Sequence, residues 1–450
     1  MLDRNRLGSL LGRERAQFTE LHPRSRQAYA NAAHLFGGVP MTWMNMRAGA
    51  FPLYLGAARG ATVTDIDGIS YADFSLGDTA AMAGHSPAAT ADAVTRRFAE
   101  IGGATAMLPT EDAEWVGAEL TRRFGPSRWS LSLTATDANR WAIRIVRAVT
   151  GRPKILVNSY CYHGSVDESL IVAGPDGAGV ARAGNVGAPV DVTQTSRVAE
   201  FNDLGGLERQ LAFGDVAAVL MEPALTNIGI VLPEPGYLAG VRELTRRHGT
   251  VLIIDETHTF SAGPGGCCRA WGLDPDIVVI GKAIGGGIPA GAFGMSAPLA
   301  ERVLGRTDLD LVDMGGVGGT MAGNALSVAA VRATLEHVLT DAAFEHMIAL
   351  ATRYADGARS AFAARGAPWS VSQLGARAEY RFAAPPPRTG TESNQAGDPE
   401  LDDYFHLYLA NRGVLLTPFH NMALMCPQTT AGQVDLHLSV LGGAVAELLA

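Results

Sequence analysis

Long apolar runs are missing from this chain. Of its 450 residues 47% are hydrophobic, yet no stretch reaches the roughly 18 consecutive apolar residues that suggest a membrane span. The N-terminal segment MLDRNRLGSLLGRERAQF carries charge from its start and lacks the apolar centre of a secretory signal. Cysteine is scarce. Cys161, Cys267, Cys268 and Cys426 are spaced like neither a disulfide framework nor a CxxC metal site. A reduced cytoplasm is therefore expected, with no metal and no membrane partner. Basic blocks are missing too. The 36 Lys and Arg stand against 45 Asp and Glu, a net charge of −9, so the basic stripe that nucleic acid requires is not there. An acidic balance by itself names no substrate, and no internal repeat is found.

What remains is an alternation of short apolar segments with helical ones. Residues 13–36 read as a polar helical arm, and 61–74 (ATVTDIDGISYADF) as a hairpin turning at Asp67-Gly68. Strands are expected at 130–134, 154–157, 216–221, 251–254 and 277–280, with helices over 138–149 and 235–248. Apolar strands alternating with helices imply a mostly parallel sheet covered on both faces. After about Ser327 long helical stretches take over. The Pro-rich segment 383–400 reads as a surface loop and 413–416 as a strand. The expected division is 1–75 as the arm and part of a small domain, 76–326 as a large α/β domain, and 327–450 as the C-terminal small domain.

Chemistry-bearing residues gather at the ends of those strands. Asp255 closes VLIID, at the carboxyl edge where parallel sheets bind ligands. Lys282 follows DIVVIG and precedes AIGGGIPAGAFG. Partial burial disfavours an ammonium, and a neutral amine is a nucleophile able to form an imine. Together an aspartate and a lysine suit pyridoxal phosphate (PLP): the carboxylate keeps the pyridine nitrogen protonated, so the ring accepts electrons from the substrate. The turn 134–139 (TATDAN), with Ala135 and Thr136, suits a phosphate at a helix N-terminus or an ordinary N-cap. Gly318-Gly319-Thr320 opens another helical stretch and is a second phosphate candidate. Tyr162 could cover a ring face or be a core tyrosine. A Walker-type reading of Gly281-Lys282 fails, because the glycines follow the lysine and no Ser or Thr comes next.

In this order, DIDG (65–68), GHSP (84–87), TATDAN, Tyr162-His163-Gly164, Glu222-Pro223, Asp255-Glu256, the lysine stretch and Gly319-Thr320…Gly323-Asn324 resemble the class III, fold-type I PLP-dependent aminotransferases. The branch of the glutamate-1-semialdehyde aminomutases and β-amino-acid transaminases is the most similar. The resemblance runs from about Gly37 to the C-terminus. It implies a large domain with a mostly parallel seven-stranded sheet between helices, plus a smaller α+β domain from both chain ends. It implies PLP as cofactor, with Lys282 as the Schiff-base lysine, Asp255 on the pyridine nitrogen and Ala135 and Thr136 at the phosphate. Tyr162 would stack on the ring with His163 beside it, Glu222 would lie on the ring's hydroxyl side, and Thr320 would reach the cofactor of a partner subunit in a homodimer.

Departures from the family pattern shape the substrate reading. TATDA stands for SGTEA, and DETHT for DEV-T-GFR, which puts Thr257 where an apolar residue usually packs on the ring. Arg47 falls a few positions after the family's carboxylate-binding arginine. Trp43, Met44, Asp78 and His420, with Phe419 and Met422, are the candidate substrate pocket; Asp78 also reads as a capping loop carboxylate. Arg377 is a further candidate for a substrate carboxylate. The first reading is a ping-pong aminotransferase that moves an amino group from a primary amine or amino acid donor to a keto or aldehyde acceptor. The alternative is intramolecular transfer by an aminomutase, with loop 174–194 as its lid. A non-catalytic protein on the same fold is the third.

Overall fold

A computed structural model describes residues 2–45, 48–187, 189–309 and 315–450. The chain forms two compact units. One comprises residues 1–87, 342–386 and 396–450, the other 88–341 and 387–395.

The second unit is built on a seven-stranded sheet. Its strands in chain order are β1 (Arg128–Ser132), β2 (Lys154–Asn158), β3 (Ser196–Ala199), β4 (Val216–Met221), β5 (Val251–Asp255), β6 (Ile277–Ile280) and β7 (Gly291–Met295). The spatial order is β1-β7-β6-β5-β4-β2-β3. Only β7 runs against the others, pairing antiparallel with both β6 and β1. Strands β4, β5 and β6 are buried at every residue, as expected for parallel strands covered on both faces. The amphipathic helix Ala135–Thr150 follows β1, with Ala138, Ala142, Ile145 and Val146 on its buried side.

Two strands of this sheet were not foreseen from sequence, β3 and β7. Strand β7 reads GAFGM, and glycine weakens any strand signal. Gly294 is needed there, because a Cβ would stand 2.6 Å from the Trp129 ring of neighbouring β1. The helix Ala325–His337 stays with the sheet unit, packed on helices Ala88–Thr95 and Glu111–Phe124. The units therefore divide at 87/88 and 341/342 rather than at 75/76 and 326/327. Segment 383–400 is also more ordered than a surface loop. Helix Gly390–Gln395 lies within it, Ser393 is buried, and the Thr391 hydroxyl donates to Glu200.

In the first unit, helices Arg4–Leu21 and Pro23–Ala30 form the arm. The hairpin pairs Thr62–Asp65 with Ser70–Asp73, and Val414–Leu415 joins it in parallel. A three-stranded antiparallel sheet combines Ser370–Leu374, Arg377–Arg381 and Met422–Leu424. No helix among the described residues is long and apolar enough to cross a membrane.

Arg123 ties the sheet unit together. It is 3% exposed and donates to the carbonyls of Leu335 (2.8 Å), Leu339 (3.0 Å) and Pro264 (3.0 Å), and to Glu119 (2.7 Å). Arg123→Met leaves those acceptors without their donor. Urea unfolding is expected to show a loss of about 3 kcal/mol; an unchanged midpoint would contradict this bracing role.

Candidate active site

Parallel strands put their carboxyl ends on one edge, and the chemistry-bearing residues follow from that edge. Ala135 and Thr136 come after β1, Tyr162 and His163 after β2, Glu222 after β4, Asp255 ends β5, and Lys282 comes after β6.

Asp255 is the best-anchored of them. It is 4% exposed. His163 Nδ1 and Asn139 Nδ2 each lie 2.9 Å from its Oδ2, and the Thr257 amide donates to Oδ1 at 3.0 Å. Burial alone would raise this carboxyl. The hydrogen bonds from His163, Thr257 and Asn139 win, holding it at about 2. Burial likewise pulls His163 down, but Cys161 and the Asp255 carboxylate raise it well above its ordinary value. Both shifts favour the charged form of each partner. Asn139 was not singled out from sequence. It sits one helical turn beyond Ala135, on the buried side of its helix, and that periodicity was the available signal.

The helix N-terminus is built for close approach. Thr134 is the N-cap, its hydroxyl oxygen accepting from the Asp137 amide at 3.1 Å. The Ala135 and Thr136 amides, as first helical positions, have no intrahelical acceptor. Ala135 fits without a positive φ, so no glycine is required there. The glycines stand opposite instead. A Cβ on Gly281 would meet the Ala135 Cβ at 2.9 Å, and one on Gly164 would meet Thr136 Oγ1 at 1.9 Å. Next to Gly281, Lys282 has φ +51°, a left-handed conformation that costs a non-glycine residue of order 1–3 kcal/mol.

Lys282 Nζ contacts His258 Nε2. His258 Nδ1 lies 2.9 Å from Thr226 Oγ1, and the Thr226 hydroxyl donates to Glu222 Oε2. His258, Thr226 and Glu222 are all buried. Sequence reasoning passed over His258 and Thr226. The histidine inside DETHT, three positions after Asp255, was a visible departure. Thr226 lies beyond β4, and nothing in its spacing links it to His258.

The remaining expected residues divide. Thr257 is buried beside Asp255, Tyr162 is 44% exposed after β2, and Thr320 is exposed in a turn before helix Ala325–His337. In the other unit, Trp43 meets Phe419 edge-on at 6.3 Å, while Met44 is partly exposed. Asp78 lies in a run of four left-handed residues, Leu76 to Thr79. His420 departs from the open-pocket expectation: it is 3% exposed, with Nδ1 3.1 Å from Glu379 Oε1. A buried carboxylate needs a partner, and the histidine serves that need. Arg377 is likewise fully buried, its Nε 3.1 Å from Met422 Sδ. Arg47 lies outside the described residues. Loop 174–194 contributes a strand, Gly179–Ala181, paired with Ile171–Ala173.

A buried carboxylate, an amine, an aromatic ring and a helix N-terminus on one sheet edge can hold a flat heteroaromatic group that bears an anion. The charge pair sets a pH signature. Asp255, lowered from 3.8 to about 2, adds stability that is present above pH 3.8 and lost as pH falls towards 2. His163, raised above 6.5, adds stability that is complete below 6.5 and lost as pH rises beyond it. Asp255→Asn is expected to flatten both limbs in urea unfolding of the ligand-free protein, at a cost of about 3 kcal/mol near pH 6. A variant that keeps the wild-type pH curve would contradict the pair.

The chain is similar to known proteins over most of its length. The family described as Aminotransferase class-III matches residues 43–432. A glutamate-1-semialdehyde 2,1-aminomutase of Anaeromyxobacter sp. (strain Fw109-5) is 32% identical over 430 residues, covering 94% of this chain and 98% of its own. A crystal structure of a glutamate-1-semialdehyde-aminomutase from Pseudomonas aeruginosa PAO1, in complex with PMP, is 49% identical with a TM-score of 0.97, covering 100% of both chains. An omega-transaminase from Sphaerobacter thermophilus is 29% identical with a TM-score of 0.84, covering 95% of this chain and 98% of its own. The chain therefore belongs to the class III aminotransferase family.

Proposed function

We propose that this protein is a PLP-dependent aminomutase that moves an amino group within one small amino aldehyde. Substrates of the glutamate-1-semialdehyde type would exchange the amino group on carbon 2 with the oxo group on carbon 1. One observation carries this reading: the 49% identity, over the whole of both chains, to the Pseudomonas aeruginosa aminomutase. It reverses the order taken from sequence alone, where transfer between two molecules stood first.

The residues at the sheet edge fit the cofactor. The amides of Ala135 and Thr136 would take its phosphate at the helix N-terminus, with Gly281 and Gly164 leaving room for the approach. Tyr162 would cover one ring face and Thr257 the other, with Glu222 near the ring's hydroxyl. Asp255, kept ionised by His163 and Asn139, would hold the proton on the pyridine nitrogen. Lys282 would anchor the cofactor and carry the proton that leaves the substrate's reacting carbon. Thr320, exposed in its turn, would reach the phosphate across a homodimer. When bound, PLP supplies the electron sink that makes that carbon acidic.

A second reading has its own support. Trp43 and Phe419 form an aromatic pair, and a β-phenylalanine aminotransferase from Variovorax paradoxus shares the fold at 26% identity with a TM-score of 0.85. On this reading the donor would be an apolar amine and the acceptor a separate molecule.

The two readings part on acceptor dependence. Glutamate-1-semialdehyde given to the loaded enzyme without any keto acid is expected to yield its isomeric amino ketone over many turnovers. Product that stops at one equivalent until a keto acid is added would favour transfer between molecules. Lys282→Ala is expected to abolish turnover while the protein keeps its fold by circular dichroism; near-wild-type activity would overturn the assignment of that lysine.

A further inference from the structure

His258 is at the site, and no step above uses it. Its setting constrains where its proton must be. Glu222, as a carboxylate, can only accept hydrogen bonds. The Thr226 hydroxyl has one hydrogen, and it points to Glu222 Oε2. Thr226 Oγ1 is then left to accept from His258 Nδ1, 2.9 Å away. A neutral imidazole carries one hydrogen, so with Nδ1 protonated its Nε2 is bare. That bare nitrogen is the atom in contact with Lys282 Nζ. By elimination, the chain Glu222–Thr226–His258 presents a proton acceptor to the lysine.

We propose that His258 is a general base for Lys282, with Thr226 and Glu222 as the positioning residues that hold its tautomer. The arrangement is that of an activated nucleophile: the amine touches a base, and the base is oriented by a third group. The proton balance is simple. When an ammonium condenses with a carbonyl it gives up three hydrogens; two leave in the released water and the third needs an acceptor. Here the Nζ–H bond breaks and the Nε2–H bond forms, leaving the electron pair on Nζ. The positive charge then rests on an imidazole whose Nδ1–H faces the carboxylate through one hydroxyl. In the reverse direction Nε2 returns the same proton. Burial of His258, Thr226 and Glu222 keeps water from scrambling the tautomer and strengthens the charge interaction.

The inference rests on Lys282 being the residue that takes the cofactor, and the experiment separates the two. Cofactor-free protein is mixed with PLP and capture is followed by absorbance at a series of pH values. Borohydride then fixes the adduct, and peptide mass spectrometry locates it. His258→Gln keeps a polar side chain but takes no proton, and it is expected to slow capture at pH 7 on the order of 100-fold. The deficit should shrink steadily as pH rises, because hydroxide in solution then removes the proton without the histidine. Thr226→Val is expected to slow capture in the same pH-dependent way, and Thr226→Ser to preserve it. This pair decides the matter should His258→Gln fail to fold. Capture by His258→Gln within roughly twofold of wild type at pH 7 would overturn the role. So would a deficit that is equal at every pH, since that marks a merely structural residue. An adduct fixed on a peptide other than that of Lys282 would instead overturn the lysine assignment itself.

Discussion

The rest of the site depends on one carboxylate staying charged inside the protein. Asp255 ends a strand buried at every residue, where an unpaired ion would not persist. Three elements answer it: the helix after β1 through Asn139, the segment after β2 through His163, and its own following turn through the Thr257 amide. Each bond also fixes something else. Asn139 sets the rotation of the helix whose first turn carries Ala135 and Thr136. His163 fixes the segment that carries Tyr162 and Gly164. Asp255 and its partners thus register the helix N-terminus and the segment that carries the aromatic ring to one another.

The opposite side of the site is organised by backbone rather than by charge. Strand β6 ends at Ile280, and Gly281 passes so close to Ala135 that no Cβ fits between them. Lys282 then adopts a left-handed conformation. The strain is held by the buried strand before it and by buried Ala283 and Ile284 after it. Stored strain of this kind belongs with functional positions. It aims the amine at the edge where Asp255 and His258 emerge, instead of along the strand.

Much of this was legible in the sequence, for reasons specific to each element. Val216–Met221 and Ile277–Ile280 were read with the bounds observed, because an unbroken apolar run between polar residues has few other uses. Lys282 and Asp255 were singled out because a strand end in a parallel sheet is a chemical address. Gly291–Met295 was missed because its Gly294 serves the Trp129 ring, a partner 165 positions away in the chain (294 − 129). His258 and Thr226 were missed for a related reason. Each is an ordinary residue alone, and only the β4–β5 pairing brings their loops together. His420 looked like a pocket residue in a turn, but its partner Glu379 comes from the neighbouring sheet. Long-range pairing decides such cases, and local pattern does not report it.

The central claim is that an ionised Asp255 keeps the cofactor's ring nitrogen protonated. The most direct measurement is the ¹⁵N NMR shift of PLP labelled at that nitrogen, bound to the protein at neutral pH. A pyridinium shift in the wild type, moving to that of a free pyridine in Asp255→Asn, is the expected result. A free-pyridine shift in the wild type, or a pyridinium shift that survives the substitution, would contradict it.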